Sequence, residues 1–261
     1  MPLVYLDDIR LNARLDGPVG GPPLIFVHAL GLDLTIWDAV TERLPDHRIL
    51  RYDQRGHGGS DVPAAPYSMG SLIRDAERLM DHFAMRDAVI IGLSLGGMVA
   101  QGLAVKRLDL IRGMVLANTA ARIGTPQAWA ARIADVRAGG LEAIADATVA
   151  RWLGPRWQTH PAMPALRARL VACPPMGWMG CAAAIAGSDF YTPSASLTLP
   201  TLAIAGSNDH ATPPDLVRET ADLIRGSEFH LIRGAGHLPC IDAPEAFAAT
   251  VTAFLRRIGH M

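Results

Sequence analysis

The stretch Ala88-Val89-Ile90-Ile91-Gly92-Leu93-Ser94-Leu95-Gly96-Gly97-Met98-Val99-Ala100-Gln101-Gly102-Leu103-Ala104 decides the reading of this chain. A β-branched apolar run leads into G-x-S-x-G at Gly92–Gly96, and a helical run follows from Gly97 to Arg107. In a chain this long, with glycine at its average frequency, that spacing arises by chance about one time in ten. The context raises its value. A strand that turns at once into a helix forces strained backbone angles on Ser94, and side chains at 92 and 96 would collide with strand and helix. The hydroxyl then stands at a helix N-terminus, whose partial positive charge favours a developing oxyanion. Ser94 is therefore the expected nucleophile. Ala88–Val105 is also 18 residues without a charge, about the length of a short membrane span. Its four glycines and its division into strand and helix predict a buried strand–turn–helix instead.

Working outward, similar apolar runs occur at Leu24–His28, Arg48–Tyr52 and Met114–Leu116, and later strands are expected at Thr201–Ala205 and Glu228–Ile232. Runs apolar on both faces fit the inner strands of a parallel sheet covered by helices. Helical periodicity lies between them. Ser71–Phe83 gathers Leu72, Ala76, Leu79, Met80 and Phe83 on one face, and Pro214–Ile224 and Pro244–Arg257 follow the later strands. The alternation predicts a doubly wound α/β sheet. It breaks between residues 120 and 196, where strand signals fade and helical patterns at Gln127–Arg137 and Leu141–Leu153 are followed by Pro155, Pro161, Pro164, Pro174 and Pro175. That segment reads as a helical insertion into one sheet. The expected organisation is a core of residues 1–119 and 197–261 with an insertion of residues 120–196.

Composition excludes several functions. The net charge is −1, from 24 basic and 25 acidic residues, so no field for nucleic acid follows. Three cysteines, Cys173, Cys181 and Cys240, lack metal-ligand spacing and are too few for a disulfide framework. The N-terminal residues show no signal-peptide pattern, so a cytoplasmic protein without a membrane anchor is expected. No metal and no organic cofactor is called for. The oligomeric state is not specified by any motif.

A serine hydroxyl needs a base to take its proton and an acid to hold that base in one tautomer. After a strand–turn–helix serine the chain order is serine, acid, histidine. Of nine histidines, His237 lies in Gly234-Ala235-Gly236-His237-Leu238-Pro239, the loop after the last strand, and is the expected base. His230 falls inside that strand and His210 abuts the acid candidate. The acid is expected at Asp209 in Ala205-Gly206-Ser207-Asn208-Asp209, because the alternative position, at the end of the strand before the insertion, carries the neutral Asn118. Backbone N–H groups of Leu95, after the nucleophile, and Leu30, in the loop after Ile25–His28, are the expected oxyanion donors. His28 reads as a loop-fixing residue, and Arg55 in Tyr52–Ser60 as a tie between loops.

Over its whole length the chain resembles the α/β-hydrolase superfamily, and more narrowly the bacterial 3-oxoadipate enol-lactonases. The narrower likeness rests on Gly92–Ala104, on Ala117-Asn118-Thr119-Ala120-Ala121-Arg122-Ile123-Gly124-Thr125-Pro126, on Ala131–Gly140, and on Ala205–Asp209 with Thr212-Pro213-Pro214. The resemblance implies a mostly parallel eight-stranded sheet flanked by helices, with a helical cap inserted after the sixth strand. It also implies a Ser-His-Asp acyl-enzyme mechanism on a small lactone or ester, here an enol-lactone bearing a carboxylate. One departure is Ala186 in Ile185-Ala186-Gly187-Ser188-Asp189, where the family often has arginine; another arginine, or a different substrate, is then required. The insertion has seven arginines (122, 132, 137, 151, 156, 167, 169) against four acids, a net +3 that suits a small anion. Arg122 and Trp129 are the expected substrate-binding residues. Other readings of the same residues are a carboxylesterase for another small ester, a C–C bond hydrolase, and a non-catalytic ligand receptor. Haloalkane dehalogenase chemistry is disfavoured, because it needs a carboxylate at position 94.

Overall fold

The computed structural model describes residues 3–153, 157 and 159–261; Pro155 and Arg156 lie outside them. In chain order the elements are β1 (Leu3–Leu6), β2 (Ile9–Asp16), β3 (Pro23–Val27), a 3₁₀ turn (Leu34–Trp37), α1 (Asp38–Thr41), β4 (Arg48–Tyr52), α2 (Met69–His82), β5 (Ala88–Leu93), α3 (Leu95–Lys106) and β6 (Ile111–Ala117). Then come α4 (Pro126–Gly139), α5 (Glu142–Trp152), α6 (Met163–Ala172), α7 (Pro175–Ala186), α8 (Tyr191–Ala195), β7 (Thr201–Gly206), α9 (Pro214–Leu223), β8 (Glu228–Ile232), α10 (Pro239–Asp242) and α11 (Pro244–Arg257).

The eight strands form one sheet in the order β1-β2-β4-β3-β5-β6-β7-β8. Strands β4 through β8 and β3 run parallel, while β2 is antiparallel to both β1 and β4. The inner strands carry the continuous apolar runs, and every residue of β5 and β7 is buried. Strand β2 alternates instead: Ile9, Leu11 and Ala13 face the core while Arg10 and Arg14 face water. Both faces of an inner parallel strand lie under helices, whereas an antiparallel edge wets one face. That is why the first two strands escape a search for unbroken apolar runs.

Helix ends follow local chemistry. The Ser68 side chain caps α2 by accepting from Ser71 N–H at 3.1 Å, so the helix starts two residues before its apolar pattern. Pro164 and Pro175, expected as interruptions, sit in the first turns of α6 and α7. There the missing N–H has no intrahelical acceptor to lose, so proline starts these helices rather than breaking them. The uncharged stretch at 88–105 resolves into β5 and the 12-residue α3, and no helix among the described residues is long and apolar enough to cross a membrane. Helices α4–α8 all fall between β6 and β7, with α4 packed on α5 and α7.

Candidate active site

The turn between β5 and α3 lifts Ser94 to φ 55°, ψ −114°, a region that ordinary side chains avoid. Holding a non-glycine residue there costs about 1–3 kcal/mol, offset by packing around it. Two glycines make the turn possible. A Cβ on Gly92 would come within 2.2 Å of Gly96 O, and one on Gly96 within 2.1 Å of Val27 O. The backbone is pinned by Ser94 N–H donating to Ala117 O at 3.0 Å and by Thr119 Oγ1 donating to Ser94 O at 2.6 Å.

The carboxyl ends of β7 and β8 supply the other two groups. His237 Nδ1 lies 2.8 Å from Asp209 Oδ2, and both residues are buried. Because a carboxylate only accepts, the ring proton sits on Nδ1 and Nε2 keeps its lone pair. Asp209 is held on every side. Its Oδ2 also accepts from Asn118 Nδ2 at 2.6 Å and Thr212 Oγ1 at 2.7 Å, and its Oδ1 from the N–H groups of Ala211 at 2.7 Å and Thr212 at 3.0 Å. Burial alone would raise the Asp209 pKa, but the neighbouring His237 together with these donors holds it below the ordinary carboxylate value. Asn118, at φ 44° at the end of β6, thus serves the acid without being one. His237 N–H is anchored to Trp152 O at the end of α5. Ser94 and His237 face the same cavity, with no hydrogen bond yet closed between them; such contacts commonly tighten only when substrate binds.

That cavity measures about 60 Å³ and is lined by Leu30, Ser94 and His237 from the core and by Trp129, Arg132, Arg151, Trp152 and Trp178 from the helices above it. Leu30 N–H and Leu95 N–H have no protein acceptor among the described residues. The structure therefore brings Ser94, His237, Asp209, Leu30, Leu95 and Trp129 together.

It does not bring Arg122. The side chain of Arg122 is 45% exposed and lies 3.9 Å from Asp189. Its neighbours Ala121 and Ile123 are buried and Ile123 lines the cavity, so the residue between them is turned to solvent. The cations that reach the cavity are Arg132 and Arg151, neither of which has an acidic partner among the described residues. Arg132 lies 4.7 Å over the Trp129 ring and 5.3 Å over the Trp178 ring, and its Nη2 is 3.5 Å from Thr148 Oγ1. Burial, with Arg151 nearby, pushes its pKa down to about 10, so it stays charged at neutral pH. Ala186 does not line the cavity although Ile185 does. The one available sequence signal for Arg132 was its place one helical turn after Trp129 on α4, which puts both on one face. Arg55, read as a loop tie, makes a buried two-pronged ion pair with Asp75 at 2.6 and 2.7 Å and stays away from the cavity. Among the described residues no cluster of acids, histidines and cysteines could hold a metal.

Comparison with known proteins agrees with this architecture. The alpha/beta hydrolase fold family matches residues 22–244. A 3-oxoadipate enol-lactonase of Acinetobacter baylyi is 32% identical over 96% of this chain and 94% of its own. The crystal structure of the enol-lactonase from Burkholderia xenovorans superposes with a TM-score of 0.94 at 33% identity, covering 98% of this chain and 100% of that one. A thermophilic esterase from Thermogutta terrifontis, solved with malate bound, gives 0.91 at 32% identity over 97% of this chain and 95% of its own. The chain belongs to the α/β-hydrolase fold family, as an enzyme of the carboxylic-ester hydrolase type.

Proposed function

We propose that this enzyme opens a small lactone that carries a carboxylate, of the 3-oxoadipate enol-lactone type, through a Ser94–His237–Asp209 relay beneath a cap formed by residues 120–196. The observation that carries the substrate class is a pair of arginines without acidic partners among the described residues, Arg132 and Arg151, facing the cavity that holds Ser94. Partly dehydrating a guanidinium without a counter-charge is costly, and an incoming carboxylate repays that cost with charge-assisted hydrogen bonds. Similarity to two enol-lactonases over nearly the whole chain supports the ring type.

In this reading His237 Nε2 takes the Ser94 proton as Oγ attacks the lactone carbonyl. The N–H groups of Leu30 and Leu95, which lack protein acceptors among the described residues, bind the oxyanion. Collapse breaks the ring C–O bond and expels an enolate, His237 returns the proton, and the enol tautomerises to a ketone. Water, deprotonated by His237, then cleaves the acyl-serine. The product has two carboxylates, one of them new. Asp209 remains ionised throughout and orients the ring. No metal or organic cofactor takes part, and three buried free cysteines fit a reducing cytoplasm.

The test is turnover of purified protein on 3-oxoadipate enol-lactone against p-nitrophenyl esters of acetate and butyrate. A kcat/KM at least tenfold higher on the lactone supports the reading. Equal or better turnover of the neutral esters would make the enzyme a general carboxylesterase.

A further inference from the structure

Two buried histidines outside the proposed relay stand beside its oxyanion loop. His28 and His57 are fully buried, with ring centroids 5.3 Å apart. The His28 ring accepts Gln54 N–H on Nε2 at 2.9 Å, so its proton lies on Nδ1, which is 2.8 Å from Ala29 O. The His57 ring accepts Gly31 N–H on Nε2 at 2.9 Å, so its proton also lies on Nδ1, 3.2 Å from Arg55 O. A backbone N–H can only donate, and each assignment follows from that.

Ala29 C=O and Leu30 N–H belong to one planar trans peptide and point in opposite directions. A donor gripping Ala29 O therefore aims Leu30 N–H the other way. The Gly31 N–H bond fixes the next peptide, so Leu30 is held on both sides. Two further bonds tie the same loops: Gln54 Nε2 donates to His28 O at 2.7 Å, and Leu34 N–H to Asp53 Oδ1 at 2.8 Å.

We propose that His28 and His57 are positioning residues for the oxyanion hole, gripping the peptides on either side of Leu30 so that its N–H meets the reacting carbonyl oxygen. The inference rests on the hydrolase reading of Ser94. Both rings serve only as neutral Nδ1–H tautomers, since a second proton on Nε2 would meet a backbone N–H. Burial, reinforced by the neighbouring His28, pushes the His57 pKa down to about 3, and burial lowers that of His28 as well. The charged or titratable groups facing the pair are Asp33, Asp53 and the Cys181 thiol, 4.0 Å from His57 Nδ1.

The test compares His28→Leu, which removes the ring's hold and leaves Ala29 O only the 3.3 Å bond from Leu32 N–H, with His28→Asn, which keeps an N–H near the Nδ1 position. Losing one oxyanion donor outright costs about 10²–10³, and misaiming it about 10- to 100-fold. His28→Leu is expected to lower kcat by that smaller factor while KM stays within about threefold. A trifluoromethyl ketone, whose adduct places an oxyanion in the hole, should weaken in parallel, and butyrate binding read by tryptophan fluorescence should not. His28→Asn should recover at least about fivefold of the loss. A His28→Leu enzyme with kcat within threefold of wild type, or one that loses ketone and butyrate alike, overturns the proposal. Nitrogen-15 NMR of the wild-type histidines gives a readout independent of activity and of variant folding. Neutral Nδ1–H rings at positions 28 and 57 from pH 5 to 9 support the proposal, and an Nε2–H or charged ring overturns it. An inactive wild type with those tautomers would instead sink the hydrolase reading.

Discussion

The two walls of the active-site cavity are built on opposite principles. On the sheet side, the carboxylate is matched: Asp209 takes five hydrogen bonds across its two oxygens, and its Oδ2 carries three of them. On the helical side, Arg132 and Arg151 reach the same cavity with no acidic partner among the described residues. A saturated network holds one geometry, because any shift leaves a buried polar atom unpaired. An unmatched cation holds little by itself and leaves its bond to be completed by whatever enters. In the proposed reading the contrast separates chemistry, prepared in the core, from choice of substrate, left to the helices between β6 and β7.

Changes on the saturated side should be the most severe and indifferent to substrate. Ser94→Ala is expected to lower kcat by about 10⁶ on lactone and neutral ester alike, measured by steady-state turnover. A variant retaining a tenth of wild-type activity would break the comparison at its root. Asp209→Asn removes the acceptor that fixes the His237 tautomer and should cost about 10⁴ in kcat. The carboxylate also links the site to pH. A folded-state pKa below the unfolded value means that Asp209 contributes stability above the unfolded pKa and loses it as pH falls through the folded one. Acid unfolding of Asp209→Asn, followed by circular dichroism, should therefore be less steep than that of wild type.

Changes on the unmatched side should depend on the charge of the substrate. Arg132→Leu is expected to reduce kcat/KM for the anionic lactone by about 10- to 100-fold, the value of one charge-assisted hydrogen bond. Turnover of p-nitrophenyl acetate should stay within about threefold. Equal losses on both substrates would show that Arg132 supports the Trp129–Trp178 wall rather than a carboxylate. Arg151 is the more exposed cation. Arg151→Ala should cost about two- to fivefold on the anion, and the difference should shrink as ionic strength rises. Arg122→Ala should alter kcat/KM by less than about twofold, because its solvent-exposed pairing with Asp189 contributes little.

Much of the sheet side was legible along the chain because it is local. The glycines around Ser94 and the loops holding Asp209 and His237 follow directly on strands whose apolar runs are visible in the residues. Asn118 was noticed only as a missing acid; that its amide donates to Asp209 depends on β6 and β7 lying side by side. The helical side was read less well. Arg122 stands within the stretch that most resembles the lactonases, and proximity in sequence suggested proximity in space. Burial of Ala121 and Ile123 turns it outward, while Arg132, ten residues on, comes in over two tryptophans.

The amino-acid sequence alone determined the strand–turn–helix at Ser94 and the parallel inner strands, and it pointed to Asp209 and His237 as the pair that the structure finds hydrogen-bonded, since each depends on a short run of residues and the turn that ends it. Only the tertiary structure decided which arginines face the cavity and how two buried imidazoles bracket Leu30. Those facts depend on the angle at which separate elements pack, and no spacing along a single segment encodes it.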